Sequence, residues 1–345
     1  MELEINGFNI WLIIAVTFFT SWVLTFVSKK IAVHINAMDI PNERKVHTKP
    51  MPRLGGLAMY GAFLVGYIFY GILSTQMVSI LIGSFILLLL GVCDDIKPVR
   101  ASAKFAVHII VASIVVFYGK LFFNDITVFG LTFEFSQIVN QLLSMFFILG
   151  AINAMNLIDG LDGLCAGVSS IYFITIAIIA FILNRLDGLD VILCLIMMGS
   201  TLGFLMHNFP PASTFMGDSG STFLGFMIAI IALLGYKGAT FTSLITPIII
   251  LAIPILDTFF AIIRRIIKHQ SIGVPDKEHI HHKLLKMKFS TRTTVLIIYF
   301  INISFSIASI MFVLGDTKIG LILYIVLLLI VLTLVLVPNI LFKRK

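Results

Sequence analysis

Charge is scarce in this chain. Asp, Glu, Lys and Arg make up 12% of its 345 residues, 59% are hydrophobic, and the mean hydropathy is +1.08. A soluble globular domain carries about a quarter of its residues charged, so this composition excludes that class and indicates an integral membrane protein. Cysteine is nearly absent. Cys93, Cys165 and Cys194 lie in or beside apolar runs with no ligand spacing, so they read as small buried apolar residues and imply no disulfide. No Gly-x-x-x-x-Gly-Lys-Ser/Thr loop occurs, which removes a nucleotide-driven pump of the P-loop kind. No separate soluble domain interrupts the apolar runs, and 1–345 is expected to be a single transmembrane domain.

Apolar runs long enough for a hydrocarbon layer of ~30 Å recur at about 8–27, 55–74, 78–93, 105–122, 137–155, 164–184, 190–207, 220–236, 243–263, 294–314 and 319–340. The expected fold is all-α and polytopic, with about eleven transmembrane helices. Basic residues orient it: twenty, from Lys29 to Lys345, fall on one side, against Lys120, Arg185, Lys237 and Lys318 on the other. That puts the N-terminus outside and the C-terminus in the cytoplasm of a cell carrying the protein in its plasma membrane. The first run is followed by Ser28-Lys29-Lys30 rather than a small-residue cleavage site, so it reads as a retained span. The net charge of +7 is explained by topology and anionic headgroups, and nucleic acid is not an expected partner.

Against this apolar background the polar residues cluster in five cytoplasmic loops, at 28–54, 94–104, 153–163, 207–221 and 264–293. In the first, Lys49 and Arg53 are held by neighbouring prolines just before Gly55-Gly56, a glycine pair that lets backbone or ligand approach closely; both cations suit a phosphate. The second carries Asp94-Asp95, followed by Lys104. Adjacent carboxylates suit a divalent metal or a proton acceptor, and equally an ordinary loop of mixed charge.

The third reads Asn153-Ala-Met-Asn156-Leu-Ile-Asp159-Gly-Leu-Asp162-Gly163. Polar groups beside bilayer-length apolar runs are costly to hold and mark a functional site by default. On a helix Asp159 and Asp162 are surface neighbours, and Gly160 and Gly163 suggest a broken helix or tight turn. The fourth, Gly217-Asp218-Ser219-Gly220-Ser221, offers a carboxylate and free backbone N–H groups ahead of a helix, with an N-cap by Asp218 or Ser219 as the plainer reading. Asp257, near Arg264 and Arg265, is expected to be paired with them. In the fifth loop His279, His281 and His282 could suggest zinc, but no Cys accompanies them, and imidazoles also serve as donors to a diphosphate.

These motifs resemble, in order and topology, those of the polyprenyl-phosphate N-acetylhexosamine-1-phosphate transferases (glycosyltransferase family 4): Asp94-Asp95, Asn153-x-x-Asn156-x-x-Asp159-Gly-x-Asp162-Gly163, Gly217-Asp218-x-Gly220-Ser221 and His279-x-His281-His282. The resemblance spans essentially the whole chain. The histidine motif is similar to that of the N-acetylglucosamine branch, which starts teichoic acid and surface polysaccharides. The run of three adjacent histidines followed by Phe-Glu, typical of the muramoyl-pentapeptide branch, is missing.

The resemblance implies transfer of GlcNAc-1-phosphate from UDP-GlcNAc to undecaprenyl phosphate, with release of UMP. It implies Mg²⁺, with Mn²⁺ as a substitute, held by Asp218 and Asn156. Asp94 or Asp95 would deprotonate or orient the lipid phosphate, an alternative giving this pair to the metal. Asp159 and Asp162 would orient substrate or metal-bound water. Lys49, Arg53, Lys104, Asn153, Asn156, Gly217 and Ser221 would bind substrate, and the three histidines would contact the diphosphate or sugar. A homodimer is compatible with the sequence. The alternatives are another amino-sugar donor within the family, or a transporter of an anionic lipid or sugar phosphate, which explains the carboxylates poorly.

Overall fold

A computed structural model describes residues 4–341 apart from 6, 42–48, 129–130, 187, 238–244, 268, 270–278 and 316. Of the basic residues counted toward orientation, Arg44, Lys45, Lys268, Lys277, Lys343, Arg344 and Lys345 lie outside the described residues. The chain is a multi-pass helical membrane protein and divides into two compact units, Met1–Leu244 and Ile245–Lys345.

In the first unit a helix is the only open-ended backbone form whose polar groups are all satisfied within an apolar layer, and the long runs adopt it. They form α1 (Ile10–His34), α2 (Gly55–Tyr70), α3 (Thr75–Ile96), α4 (Ala101–Ser113, extended by a π turn through Tyr118), α5 (Gln137–Ile158), α6 (Leu164–Ile182), α7 (Leu189–Asn208) and α8 (Gly217–Lys237). Side chains cap helix N-termini where the sequence provides them: Asn9 accepts from the Trp11 N–H at 2.9 Å and Ser74 from that of Met77 at 3.1 Å. Three two-stranded ladders add a little sheet, namely β1 (Glu4–Ile5) with β2 (Phe8–Asn9), β3 (Met38–Asp39) with β4 (Met51–Pro52), and β5 (Ile126–Val128) with β6 (Leu131–Phe133).

Helix α8 is the centre of this unit. Its apolar stretch Gly217–Gly235 is 94% buried, against 28% for α1, and it packs on α2, α3, α5 and α7. Glycines make its first turn accessible to two neighbours. A Cβ on Gly56 would lie 2.3 Å from the Gly220 nitrogen, and one on Gly91 would lie 2.3 Å from the Ser219 Cα. Both obstacles are backbone, which cannot rotate away. The close approach expected at Gly55-Gly56 is therefore helix against helix. Gly56→Ala is expected to destabilise the protein by about 1–3 kcal/mol through overpacking, read as a lower melting temperature in detergent; an unchanged melting temperature would remove this crossing from the fold.

The second unit holds α9 (Ile245–Ile250), α10 (Ala252–Ile267), α11 (Ile280–Lys286), α12 (Thr291–Val313) and α13 (Thr317–Leu341), with α12 packed against both α9 and α13. Ser290 caps α12 by accepting from the Thr293 N–H at 3.1 Å.

Among the described residues, eight helices are long and apolar enough to cross a membrane. The other three expected spans differ. The 55–74 run yields a helix of only 16 residues, the described apolar part of α13 is Lys318–Thr333, and the 243–263 run is interrupted at Leu251 between α9 and α10. Pro254, in the first turn of α10, has no N–H to continue a ladder back into α9. Two details also depart from expectation. Asp94 and Asp95 sit within the last turn of α3 rather than in a loop, and Cys93 beside them is exposed while Cys165 and Cys194 are buried.

Candidate functional site

Helix α8 begins at Gly217, whose φ of +72° places it in the left-handed region. The cap comes from another helix. Asp95 at the end of α3 accepts from the Asp218 N–H at 2.9 Å through Oδ1, and from the Ser219 N–H at 3.2 Å and hydroxyl at 2.8 Å through Oδ2. A carboxylate against a helix N-terminus also meets the positive end of the helix dipole. The same Oδ1 accepts from Arg53 Nε at 3.1 Å, with Nη2 at 3.0 Å. The Asp95 side chain is fully buried, and every contact holds it in place.

Asp94 faces the other way around α3. Its Oδ1 accepts from the Val99 N–H at 2.7 Å, fixing the turn into α4, and its Oδ2 meets Lys104 Nζ at 2.9 Å. Lys104, one turn into α4, donates on to Asp218 Oδ2 at 2.7 Å. Arg53 reaches Asp218 Oδ1 at 3.7 Å and Asp39 Oδ1 at 3.4 Å. The result is an alternating chain of charges, Asp39–Arg53–Asp218–Lys104–Asp94, with Asp95 beneath it. Burial works against the Arg53 charge, but Asp95, Asp218, Asp39 and Asp94 together hold its guanidinium above the ordinary value.

The strand pair β3–β4 brings Arg53 here. The Arg53 N–H donates to Ala37 O at 3.2 Å, Pro52 O accepts from the Phe215 N–H at 2.8 Å, and the Gly55 and Gly56 N–H groups donate to Phe215 O and Met216 O at 3.0 and 2.9 Å. The segment before α2 is thus laced to the segment before α8.

The polar stretch that follows α5 does form a turn. Helix α5 ends at Ile158, Asp159 caps it, and Gly163 at φ +73° opens α6. Asn208 clamps this turn by accepting from the Gly163 N–H at 3.0 Å and donating to Thr214 O at 2.8 Å. Asp162 Oδ2 accepts from the Ala212 N–H at 2.9 Å. Asn156 Nδ2 donates to Ser221 Oγ at 2.9 Å, against the first turn of α8. Asp159 is partly buried; burial pushes its carboxyl well above the usual carboxylate range, and the charge of Asp218 adds to the effect.

Asn153 turns back on its own helix, donating to Leu149 O at 2.7 Å, and Lys49 is exposed. Sequence reasoning passes over His108 and the role of Asp39, and gives Asn208 little weight.

A divalent ion can be tested against these donors. The oxygens of Asp218, Asn156 and Asp159 are hard, and the amide of Asn156 is oriented by its bond to Ser221. Among the described residues no group of three or more His, Cys, Asp or Glu converges as a complete cage. Hard oxygen donors of this kind suit Mg²⁺, which takes one or two protein carboxylates and completes its octahedron with substrate phosphates and water.

In the second unit the histidines form a cluster of their own. His279 Nδ1 lies 2.8 Å from Asp257 Oδ2, and the Ile280 N–H donates to Asp257 Oδ1 at 2.9 Å, so one buried carboxylate fixes both the imidazole and the start of α11. Asp257 is expected from the sequence to pair with Arg264 or Arg265; the partners seen on it are His279 and the Ile280 N–H, because the chain returns α11 to that carboxylate. The His279 and His281 rings are parallel, 5.7 Å apart, and His282 is 4.2 Å from His281. Burial and the neighbouring His282 push His281 down to about 3 in spite of Asp257, so it stays neutral at ordinary pH.

With this geometry in place the chain can be set beside known proteins. Residues 77–236 match the model of Glycosyl transferase family 4, a stretch that includes Asp94, Asp95, Lys104, Asn156, Asp159, Asp162 and Asp218. A Bacillus subtilis protein named probable undecaprenyl-phosphate N-acetylglucosaminyl 1-phosphate transferase is 44% identical over 92% of this chain and 88% of its own length. The decaprenyl-phosphate N-acetylglucosaminephosphotransferase of Mycolicibacterium smegmatis is 34% identical over 82% of this chain and 76% of its own. An Escherichia coli undecaprenyl-phosphate alpha-N-acetylglucosaminyl 1-phosphate transferase is 29% identical over 83% and 79%. The chain therefore belongs to glycosyl transferase family 4.

Proposed function

We propose that this protein transfers GlcNAc-1-phosphate from UDP-GlcNAc to undecaprenyl phosphate, releasing UMP and leaving a diphosphate-linked lipid at the cytoplasmic face of the plasma membrane. The names of the relatives support the reaction, and the observation that carries it here is the buried chain of carboxylates and cations where α3, α4 and α8 meet. Initiation of teichoic acid or a surface polysaccharide is the role this product suits. The asymmetry of Lys and Arg supports the orientation.

In the proposed reaction an oxygen of the lipid phosphate attacks the sugar-side phosphorus of the donor, a new P–O bond forms in line, and the bond to the UMP phosphate breaks. Phosphoryl transfer of this kind asks for positioning and charge stabilisation more than covalent help. A phosphate monoester has its second pKa near ~6 and is already largely dianionic, so Asp94 is needed to orient the acceptor rather than to ionise it. Arg53 and Lys104 offset the charge gathered on the diphosphate, and Asp159 and Asp162 orient substrate from the turn after α5. Asp218 and Asn156 would hold Mg²⁺, which when bound neutralises diphosphate oxygens. The imidazoles of His279 and His282 serve as donors to the diphosphate or sugar.

The test incubates purified protein with undecaprenyl phosphate, Mg²⁺ and either UDP-GlcNAc or the muramoyl-pentapeptide donor, and measures UMP. Release with UDP-GlcNAc is expected; no release with either donor would sink the transferase reading. Asp257→Asn probes the histidine set. An amide in that place still accepts from Ile280 but no longer fixes the tautomer and ring orientation of His279, and a fall in turnover of about tenfold to a hundredfold is expected. Unchanged turnover would return Asp257 to a capping role alone.

A further inference from the structure

We propose that His108 binds the phosphate of the lipid acceptor from the membrane side of the carboxylate–cation chain, donating an imidazole N–H to a phosphate oxygen. This rests on the transferase reading above. His108 lies in α4 and is 4% exposed, and neither ring nitrogen has a hydrogen-bond partner among the described residues. Buried polar atoms are almost always matched, so an imidazole doubly unmatched by protein points to a partner that arrives from elsewhere.

Its position says which partner. His108 is four residues beyond Lys104 on the same face of α4, about 6 Å further along the axis. Since α4 leads away from the end of α3 that carries Asp94 and Asp95, His108 lies deeper than Lys104. The charges acting on its ring are those of Lys104 and Asp218, and the buried residues that follow on α4, Val111 and Ala112, carry no polar side-chain atom. His108 is thus the innermost polar group of this face. A water-soluble nucleotide sugar reaches the cations from the aqueous side. A phosphate tethered to an isoprenoid chain reaches them from within the bilayer and passes His108. A hydrogen bond to such an anion is of the strong, charge-assisted kind.

Steady-state kinetics separate the two substrates. His108→Leu is expected to raise the KM for undecaprenyl phosphate about tenfold to a hundredfold while the KM for UDP-GlcNAc stays within about twofold. His108→Gln, which restores an N–H donor, is expected to recover most of the loss. Undecaprenyl phosphate alone should raise the melting temperature of the wild type and of His108→Gln but not of His108→Leu, while inorganic phosphate at equal concentration raises none. Equal changes in both KM values, no change in either, an unaltered lipid-induced shift in His108→Leu, or an equal shift with inorganic phosphate would overturn the assignment. Wild-type protein that releases no UMP would instead defeat the transferase reading, and the lipid-induced shift would still report on His108.

Discussion

Asp218→Asn is expected to lower UMP release by about a thousandfold or more while the melting temperature in detergent stays that of the wild type. The size follows from what one carboxylate does at this point. It faces Lys104 at 2.7 Å and Arg53 at 3.7 Å and is the proposed ligand of Mg²⁺, so its charge organises both cations and the ion. Removing a single preorganised electrostatic group costs about 10²–10³ in rate, and removing one that also holds a metal costs more. The fold should tolerate the change. Asn is isosteric, Lys104 keeps Asp94 at 2.9 Å, and the N–H of residue 218 is still capped by Asp95. Near-normal turnover would take Asp218 out of the reaction.

The second large effect separates two adjacent acids. Asp95→Ala is expected to destabilise the protein by about 3–5 kcal/mol, because it strips Arg53 of a fully buried partner and uncaps α8 in one step. A fall in melting temperature of roughly 6–20 °C follows from that figure. Asp94→Asn should behave in the opposite sense. Asp94 keeps some surface, and its amide replacement still accepts from Val99, so little stability is lost and the loss appears in turnover. The discriminating measurement is the pair of values, melting temperature and turnover, for each variant. A stable but inactive Asp95→Ala would reverse the assignment and make Asp95 the residue that meets substrate.

Much of this was legible in the chain itself. Eight of the spans follow from apolar length alone, and Asp94, Asp95, Lys104, Arg53 and Asp218 were singled out because charge is so rare around them. What sequence could not say is which partner each would take. Asp95 caps a helix 123 residues away, and nothing within α3 announces that. Local proximity suggested Arg264 and Arg265 for Asp257, whereas the chain returns His279 to it. His108 reads as one polar residue in an apolar helix, and only the burial of both its nitrogens distinguishes it. The interruption at Leu251 was hidden because an apolar run of sufficient length looks continuous whether or not its backbone is.

The cap on α8 also sets a timetable for biosynthesis. The ribosome must add the 123 residues that separate Asp95 from Asp218 before α8 exists, which at ~5–20 residues per second takes roughly 6–25 s. During that interval the nascent protein carries two acids at the end of α3 without the helix that one of them will cap. Their place in the last turn, rather than mid-helix, keeps them near an end of the span while four more helices are made. The charged cluster is therefore the last part of the first unit to be assembled, and a chain stopped short of α8 would carry Asp94, Asp95 and Lys104 without the Asp218 that joins them.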